Sequence, residues 1–202
     1  MLVTPSLDLV KGYIMFKETT QVADVATANI VGRSAHTEKT SITGYYTVEC
    51  LDAAGNLKWK DEIHNLVTTV GKNKTMDTVL GNTAGGAIVM GLKGTGTADV
   101  TDTQALHAGW LEVGGTNAPA YTGNRPTPSF SAASSGTKST SAAVSFAITS
   151  GGTVAGCFIN IGGSATKDDT SGVLFSAGDF SAGSRVVISG DVLNVSYSAT
   201  AA

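Results

Sequence analysis

Alternating apolar and polar positions predict a β-hairpin between residues 43 and 64. Two segments, 43–51 and 57–64, show the period of two that places alternate side chains on one face of a strand. The five residues between them include Gly55 and Asn56, which accept the positive φ of a tight turn. The positions on the predicted inward face are Tyr46, Val48, Cys50, Leu57, Trp59, Asp61 and Ile63.

A short α-helix is predicted for residues 68–81, directly after the hairpin. Thr68 or Thr69 can cap its start, and Gly81 stands where a helix commonly ends. Three apolar side chains follow the spacing i, i+3, i+4, which is typical of one face of an amphipathic helix. These side chains are Met76, Val79 and Leu80.

From about residue 86 onward, the sequence predicts short strands separated by turns that contain glycine. Residues 102–107 predict one helical turn, 114–135 a long irregular connection, and 189–191 a tight hairpin between the last two strands. The predicted strands are 87–92, 110–113, 142–149, 153–161, 173–175, 185–188 and 192–197. With the hairpin, they indicate an all-β domain over residues 42–202, a β-sandwich or jelly-roll-like fold with one short helix.

Residues 1–41 show no sustained period of 2 or 3.6, and we predict that they form an N-terminal arm with short elements. The apolar side chains of this arm still require burial, either against the same domain or on a neighbouring subunit. The candidate contact residues in the arm are Leu7, Leu9, Tyr13, Ile14 and Phe16.

Composition and charge narrow the functional classes. The 202 residues carry a net charge of −3, so the excess of Lys and Arg that nucleic-acid binding requires is missing. No run of 18 or more apolar residues is present, and we therefore expect no membrane span. The first residues lack a charged segment followed by a long apolar stretch, so we expect no secretory signal and synthesis in the cytoplasm. Gly, Ala, Ser and Thr make up about half of the chain, which favours strands and tight turns over long helices.

Few residues have the spacing of a catalytic or metal site. Asp102 and His107 could form a triad with one of the many serines, but no Gly-x-Ser-x-Gly motif is present, and a hydrogen-bonded turn histidine is the simpler interpretation. The three histidines lie far apart in sequence, and Cys50 and Cys157 stand alone in apolar segments typical of buried thiols. We predict a protein that is not an enzyme and that has no catalytic residue, metal ligand or cofactor.

Three further features have both a structural and a functional interpretation. The glycine-rich segment 91–96 lacks the residue order of a phosphate-binding loop, and the charged segment 167–169 is predicted to be a solvated loop tip. Trp59 and Trp110 could pack in the core or could stack on sugars. Aromatic residues make up only 6% of the chain, so placing both tryptophans on the surface would leave a thin core, and burial is favoured.

Several blocks of sequence occur in an order that resembles a known family. They are Gly44–Trp59, Asn65–Gly71, Asp102–Glu112, Tyr121, Arg125-Pro126, Phe146, Gly156, Phe158, Leu174–Ser176 and Gly190–Tyr197. This pattern, over about residues 43–200, resembles a family of small structural proteins of tailed bacteriophages. Residues 1–41 lie outside the resemblance, which therefore gives no support for a role of the arm.

The resemblance implies a virion component, and for a β-rich chain of this size it implies a capsid decoration (cement) protein. Such a protein would be made in the cytoplasm of the host bacterium and would bind the outer capsid surface, bridging neighbouring capsomers. Its expected partners are the major capsid protein and further copies of itself, as a dimer or trimer, and the arm residues would then be subunit or capsid contacts. The alternative is a tail, fibre or baseplate component with glycan recognition. The resemblance implies no catalytic residue.

Overall fold

A computed structural model describes residues 41–81 and 83–202, which form antiparallel sheets and a short helix. The predicted all-β fold is confirmed. The elements in chain order are β1 (Ile42–Leu51), β2 (Leu57–His64), β3 (Leu66–Val67), α1 (Thr69–Val79), β4 (Ile88–Gly96), β5 (Trp110–Val113), β6 (Thr137–Ser139), β7 (Val144–Ala147), β8 (Gly152–Val154), β9 (Gly156–Ile161), β10 (Val173–Asp179), β11 (Arg185–Val187) and β12 (Val192–Ala201).

The first sheet has the order β2-β1-β12-β6, and β7 also pairs with β12. The predicted hairpin of β1 and β2 is confirmed, and Gly55 takes a φ of 85° in the turn between them. The Asp52 side chain accepts hydrogen bonds from the backbone N–H groups of Ala54 and Asn56, which fixes this turn. Strands β1 and β12 pair along ten residues, so the two ends of the described domain lie side by side.

The second sheet has the order β3-β10-β9-β4-β5, and β8 and β11 form a small separate sheet. The predicted hairpin around residues 189–191 is therefore wrong in its pairing. A turn does lie there, but β11 pairs with β8, whereas β12 pairs with β1, β6 and β7. The Asp191 carboxylate holds this turn by accepting from the N–H of Ile188 and from the ammonium of Lys58, so the chain reverses without strand pairing.

The main core lies between the two five-stranded sheets, which pack face to face as a β-sandwich. Its largest fully buried side chains come from strands of both sheets. They include Tyr46, Ile63, Met90, Leu92, Phe146, Ile159 and Leu193. A jelly-roll arrangement remains a prediction.

A second apolar cluster lies around Trp110, Phe158 and Leu174, on strands of the second sheet. The helix α1 packs on β10 of the same sheet, where an added Cβ on Gly71 would overlap the carbonyl oxygen of Phe175. The predicted cap is confirmed, because the Thr68 hydroxyl accepts from the Gly71 N–H at 3.0 Å. The helix thus contacts the domain closely through its first turn.

The later turns of α1 depart from the amphipathic pattern. Met76, Val79 and Leu80 are 55%, 73% and 75% exposed, although their spacing is that of a buried face. Gly71 is the only buried residue of this helix, so the helix contacts the sheet more than one turn before the apolar stripe begins.

Within the described residues, no helix is long and apolar enough to cross a membrane.

Candidate functional site

A cleft of about 390 Å³ lies beside β5, between residues 104–108 and residues 168–170. It combines apolar, amide and acidic side chains. The residues that line it include Gln104, Leu106, His107, Leu111, Asp168 and Asp169. A concave surface with a few convergent polar groups is the usual form of a binding site.

A buried ion pair supports the wall of this cleft. Arg125 is 2% exposed and Glu112 is 5% exposed. The Nε–H of Arg125 donates to Oε1 of Glu112 at 2.8 Å, and Nη2 donates to Oε2. Arg125 also donates to the backbone oxygens of Ser164 and Asp169 at 3.1 and 2.8 Å. One guanidinium therefore joins β5, the connection 114–135 and the loop 163–171.

The electrostatics of this pair favour the charged state of the arginine. Burial by itself lowers the pKa of Arg125, but the hydrogen bonds and the negative charge of Glu112 outweigh it, and the pKa is raised above its ordinary range. Glu112 also accepts from the backbone N–H of Asp168 at 3.1 Å. The ion pair thus fixes the position of the loop that carries the two aspartates of the cleft.

The loop tip 167–169 is docked on the domain, so the prediction that it is solvated is wrong for Lys167. The Lys167 ammonium donates to the backbone oxygens of Gly114 and Tyr121 at 2.8 and 2.6 Å and lies 4.0 Å from the centre of the Tyr121 ring. Burial lowers the pKa of Lys167. The carbonyl groups of a neighbouring connection account for this docking, because they need donors when they are removed from water.

The two aspartates of the loop tip accept hydrogen bonds from different residues. Asp168 is exposed, has a φ of 61°, and accepts from the N–H and the hydroxyl of Thr116 through Oδ2 at 2.7 and 2.8 Å. Asp169 accepts from the N–H of Ser171 through Oδ1 at 2.9 Å. Hydrogen bonds from Ser171 hold the pKa of Asp169 below its ordinary range. Among the described residues, neither carboxylate forms a salt bridge with a cationic side chain.

Gln104 is 2% exposed and lines the cleft. Its Nε2–H donates to the backbone oxygen of Asp169 at 3.3 Å, whereas its Oε1 is buried without a hydrogen-bond partner among the described residues. A buried amide oxygen in this state is unusual, since buried polar atoms are nearly always paired. A residue of the cleft lining therefore carries a buried acceptor that no described residue satisfies.

Asp102 and His107 both contact Trp110, and neither hydrogen bonds to the other. The Trp110 indole N–H donates to Asp102 at 2.9 Å. His107 stacks on the Trp110 ring with a centroid distance of 4.0 Å, and its Nδ1 lies 3.0 Å from the Trp110 carbonyl oxygen, which makes Nδ1–H the donor. The predicted helical turn at 102–107 is wrong: Thr103 and Leu106 exchange backbone hydrogen bonds, which closes a tight reversal instead.

Both tryptophans are used in packing. Trp110 is 2% exposed, as predicted for a core residue. Trp59 is partly buried against the main core and meets the Phe180 ring edge-on, with the Arg185 guanidinium on it at 5.5 Å. Neither ring is presented as an open platform for sugar stacking.

The glycine-rich segment 91–96 lies within β4 and holds a buried lysine. The Lys93 ammonium donates to Asp179 and to the backbone oxygens of Gly94 and Gly96, so its charge is already satisfied within the domain. Cys50 and Cys157 are free and buried, as predicted, and burial raises the pKa of the Cys50 thiol to about 11.

The strand β5 lies at the edge of its sheet, next to the cleft. Two of its carbonyl oxygens accept from side chains: Trp110 from His107 and Glu112 from Asn117 Nδ2 at 2.9 Å. Leu106 and Leu111 are 70% and 59% exposed beside these groups. Side chains therefore occupy part of the hydrogen-bonding edge, and the cleft presents apolar side chains at its rim.

The candidate contact residues of the arm (Leu7, Leu9, Tyr13, Ile14 and Phe16) lie outside the described residues. In the part of the chain that the structure describes, no group of three or more His, Cys, Asp or Glu side chains is arranged to hold a metal ion. No protein-family model, curated protein or solved structure matched the chain. The function of the cleft must therefore be inferred from its own residues.

Proposed function

We propose that this chain is a non-enzymatic structural protein of a tailed-phage virion, a capsid decoration (cement) protein that binds the outer capsid surface and bridges neighbouring capsomers. The observation that carries this proposal is how the described domain distributes its charged and apolar side chains. Most buried charged side chains of the described domain have an oppositely charged partner, whereas large aliphatic side chains remain exposed on separate elements.

The ion pairs support a mechanical role. They join segments that lie far apart in sequence, such as Lys93 with Asp179 and Lys58 with Asp191. Each of these pairs buries one partner, Lys93 or Asp191, and favours one arrangement of the loops, because removing the other partner leaves that buried charge uncompensated. Loops that are held in this way suit a protein that must keep its contact surfaces in fixed positions under load.

The exposed aliphatic residues support contact with more than one partner. Three sets lie on different elements: one on α1, one at the rim of the cleft and one on β11 and the residue after it. The sets are Met76, Val79 and Leu80; Leu106 and Leu111; and Val186 and Ile188. Clustered apolar side chains on a surface commonly mark interaction sites. A protein repeated over a capsid needs only modest affinity at each contact, because linked contacts reinforce one another.

Copy number tests this proposal against its alternatives. Quantitative mass spectrometry of purified virions of the encoding phage should give a ratio to the major capsid protein on the scale of one copy per capsomer or higher. A ratio that is only a small fraction of this would favour the tail, fibre or baseplate alternative. Complete absence from purified virions would reject both.

A second experiment tests the stabilising role directly. Capsids that lack the protein should bind the purified full chain to saturation in co-sedimentation, and calorimetry should then show a higher capsid melting temperature. Saturable binding without any increase in melting temperature would contradict cementing, while leaving attachment to the capsid in place.

A further inference from the structure

We propose that the cleft beside β5 receives an arginine side chain of a partner virion protein, with the apolar neighbours of that arginine seated on Leu106 and Leu111. The identity of the partner rests on the proposed function. The chemistry of recognition rests on the cleft alone, and three independent features of the cleft support it.

The first feature is a local excess of negative charge, in which carboxylates outnumber cationic side chains three to two. Glu112 is paired with Arg125, and the Lys167 ammonium, which donates to the backbone oxygens of Gly114 and Tyr121, offsets part of the charge of the loop tip. Asp168 and Asp169 are left without a salt bridge to any described residue. A cationic partner is thus electrostatically complementary to this surface, and an anionic one is not.

The second feature is Gln104, a residue of the cleft lining whose buried Oε1 has no hydrogen-bond donor among the residues that the structure describes. A planar guanidinium carries five N–H donors in a fixed fork, so once the Gln104 side chain rotates to turn this amide oxygen towards the cleft, one guanidinium can donate to it and to an aspartate carboxylate together. A lysine ammonium is a compact point charge and offers no such fork. The neighbouring His107 ring adds an aromatic surface of the kind on which arginine stacks.

The third feature is the rim of the cleft. Leu106 and Leu111 are mostly exposed, and the adjacent carbonyl groups of Trp110 and Glu112 already accept hydrogen bonds from side chains. Addition of a partner strand to this edge is therefore hindered, and side-chain docking is favoured. An arginine between two apolar residues matches both the apolar rim and the two aspartates of the loop tip.

Peptide titration of the isotope-labelled full chain tests this inference without a virion. The probe is acetyl-Leu-Arg-Leu-amide, and its matched control replaces arginine with citrulline, which keeps the shape and removes the charge. We expect the arginine peptide to shift the amide resonances of Gln104, Leu111 and Asp168 and to bind at least about fivefold more tightly than the citrulline peptide. Equal affinities, or shifts confined to other surfaces, would overturn the proposal.

Variants of the protein complete the test. The double substitution Asp168→Asn and Asp169→Asn keeps acceptors for Thr116 and Ser171 but removes both charges, and should weaken binding of the arginine peptide about fivefold or more. A control with Glu62→Gln and Asp77→Asn removes two charges elsewhere and should bind like the unaltered chain.

A third variant, Gln104→Met, removes the unpaired oxygen and should also weaken binding, with dispersed amide resonances showing that the fold is kept. Unchanged affinity in the aspartate variant, or equal losses in it and in the charge control, would reject the site. Because no virion enters these measurements, such a result would leave the copy-number test of the proposed function unaffected.

Discussion

Arg125 and Glu112 form a two-pronged ion pair inside the domain, with Nε 2.8 Å from Oε1 and Nη2 bonded to Oε2. Both side chains are almost completely buried, and this makes the contact important for the stability of the fold. A charge removed from water is costly unless a partner of opposite sign and further hydrogen bonds compensate it. Here the backbone oxygens of Ser164 and Asp169 supply those further acceptors, so the pair also fixes the loop beside the cleft.

Replacing Arg125 with Met should therefore be strongly destabilising. The substitution leaves Glu112 buried without its partner, and we expect a loss of about 3–5 kcal/mol in the free energy of unfolding. Urea denaturation followed by tryptophan fluorescence measures this loss. The control is Lys60→Met, which breaks the exposed pair of Lys60 with Glu49 and should cost less than about 1 kcal/mol. Similar losses in the two variants would show that burial does not control the strength of the pair.

The local parts of the fold could be predicted from the sequence, and the long-range pairings could not. The β1–β2 hairpin and the Thr68 cap depend on residues only a few positions apart, and both are present as predicted. The strand that pairs with β11 is β8, which lies some thirty residues earlier in the sequence. A turn at residues 189–191 has the same local sequence whether or not its flanking strands pair with each other. Alternation along one strand does not identify that strand's neighbour.

The candidate site was harder to predict, because its polar residues come from three separate segments. Only Glu112 carries a local clue: it alternates with Leu111 and so shares a face with the buried Trp110, where a lone carboxylate needs a partner. Nothing near Arg125 in sequence identifies it as that partner. The sequence predicts a solvated Lys167 because its acceptors, the backbone oxygens of Gly114 and Tyr121, are close in space but 53 and 46 residues away in the sequence.

Asp102 should contribute to stability as the acceptor for Trp110. The variant Asp102→Ala leaves the buried indole N–H without its partner, and we expect a loss of about 1–3 kcal/mol in the free energy of unfolding. Asp102→Asn keeps an oxygen in the same place and should lose clearly less. Urea unfolding measures both variants. If Asn and Ala are equally destabilising, the hydrogen bond to the indole is not the source of the effect.

Asp61 should make the domain less stable in acid. Burial raises its pKa, but hydrogen bonds from Ser181 and Arg185 outweigh burial and hold the pKa below its ordinary value of 3.8. A lowered pKa in the folded state means that the stabilisation is present above the ordinary value and disappears as the pH falls through the folded-state value. We expect the free energy of unfolding to decrease from about pH 5 towards pH 2.

Two variants separate Asp61 from the other acidic groups. Asp61→Asn should flatten part of this acid dependence, and Glu62→Gln, its exposed neighbour, should leave the dependence as it is in the unaltered chain. Denaturant titrations at a series of pH values give the comparison. An identical slope in the Asp61 variant and the unaltered chain would assign the acid sensitivity to other carboxylates.

Gly71 and Asn73 lie on the same helix but should respond oppositely to replacement by alanine. Alanine is the better helix former at both positions, by up to about 1 kcal/mol over glycine. At Gly71, however, the added Cβ would overlap the carbonyl oxygen of Phe175, so α1 must move away from β10, and we expect a net loss of about 1–3 kcal/mol in the free energy of unfolding. Asn73 is exposed, and Asn73→Ala should be neutral or slightly stabilising. Circular dichroism during thermal unfolding distinguishes the two variants, and a Gly71→Ala protein as stable as Asn73→Ala would mean that the helix does not pack on the sheet at this distance.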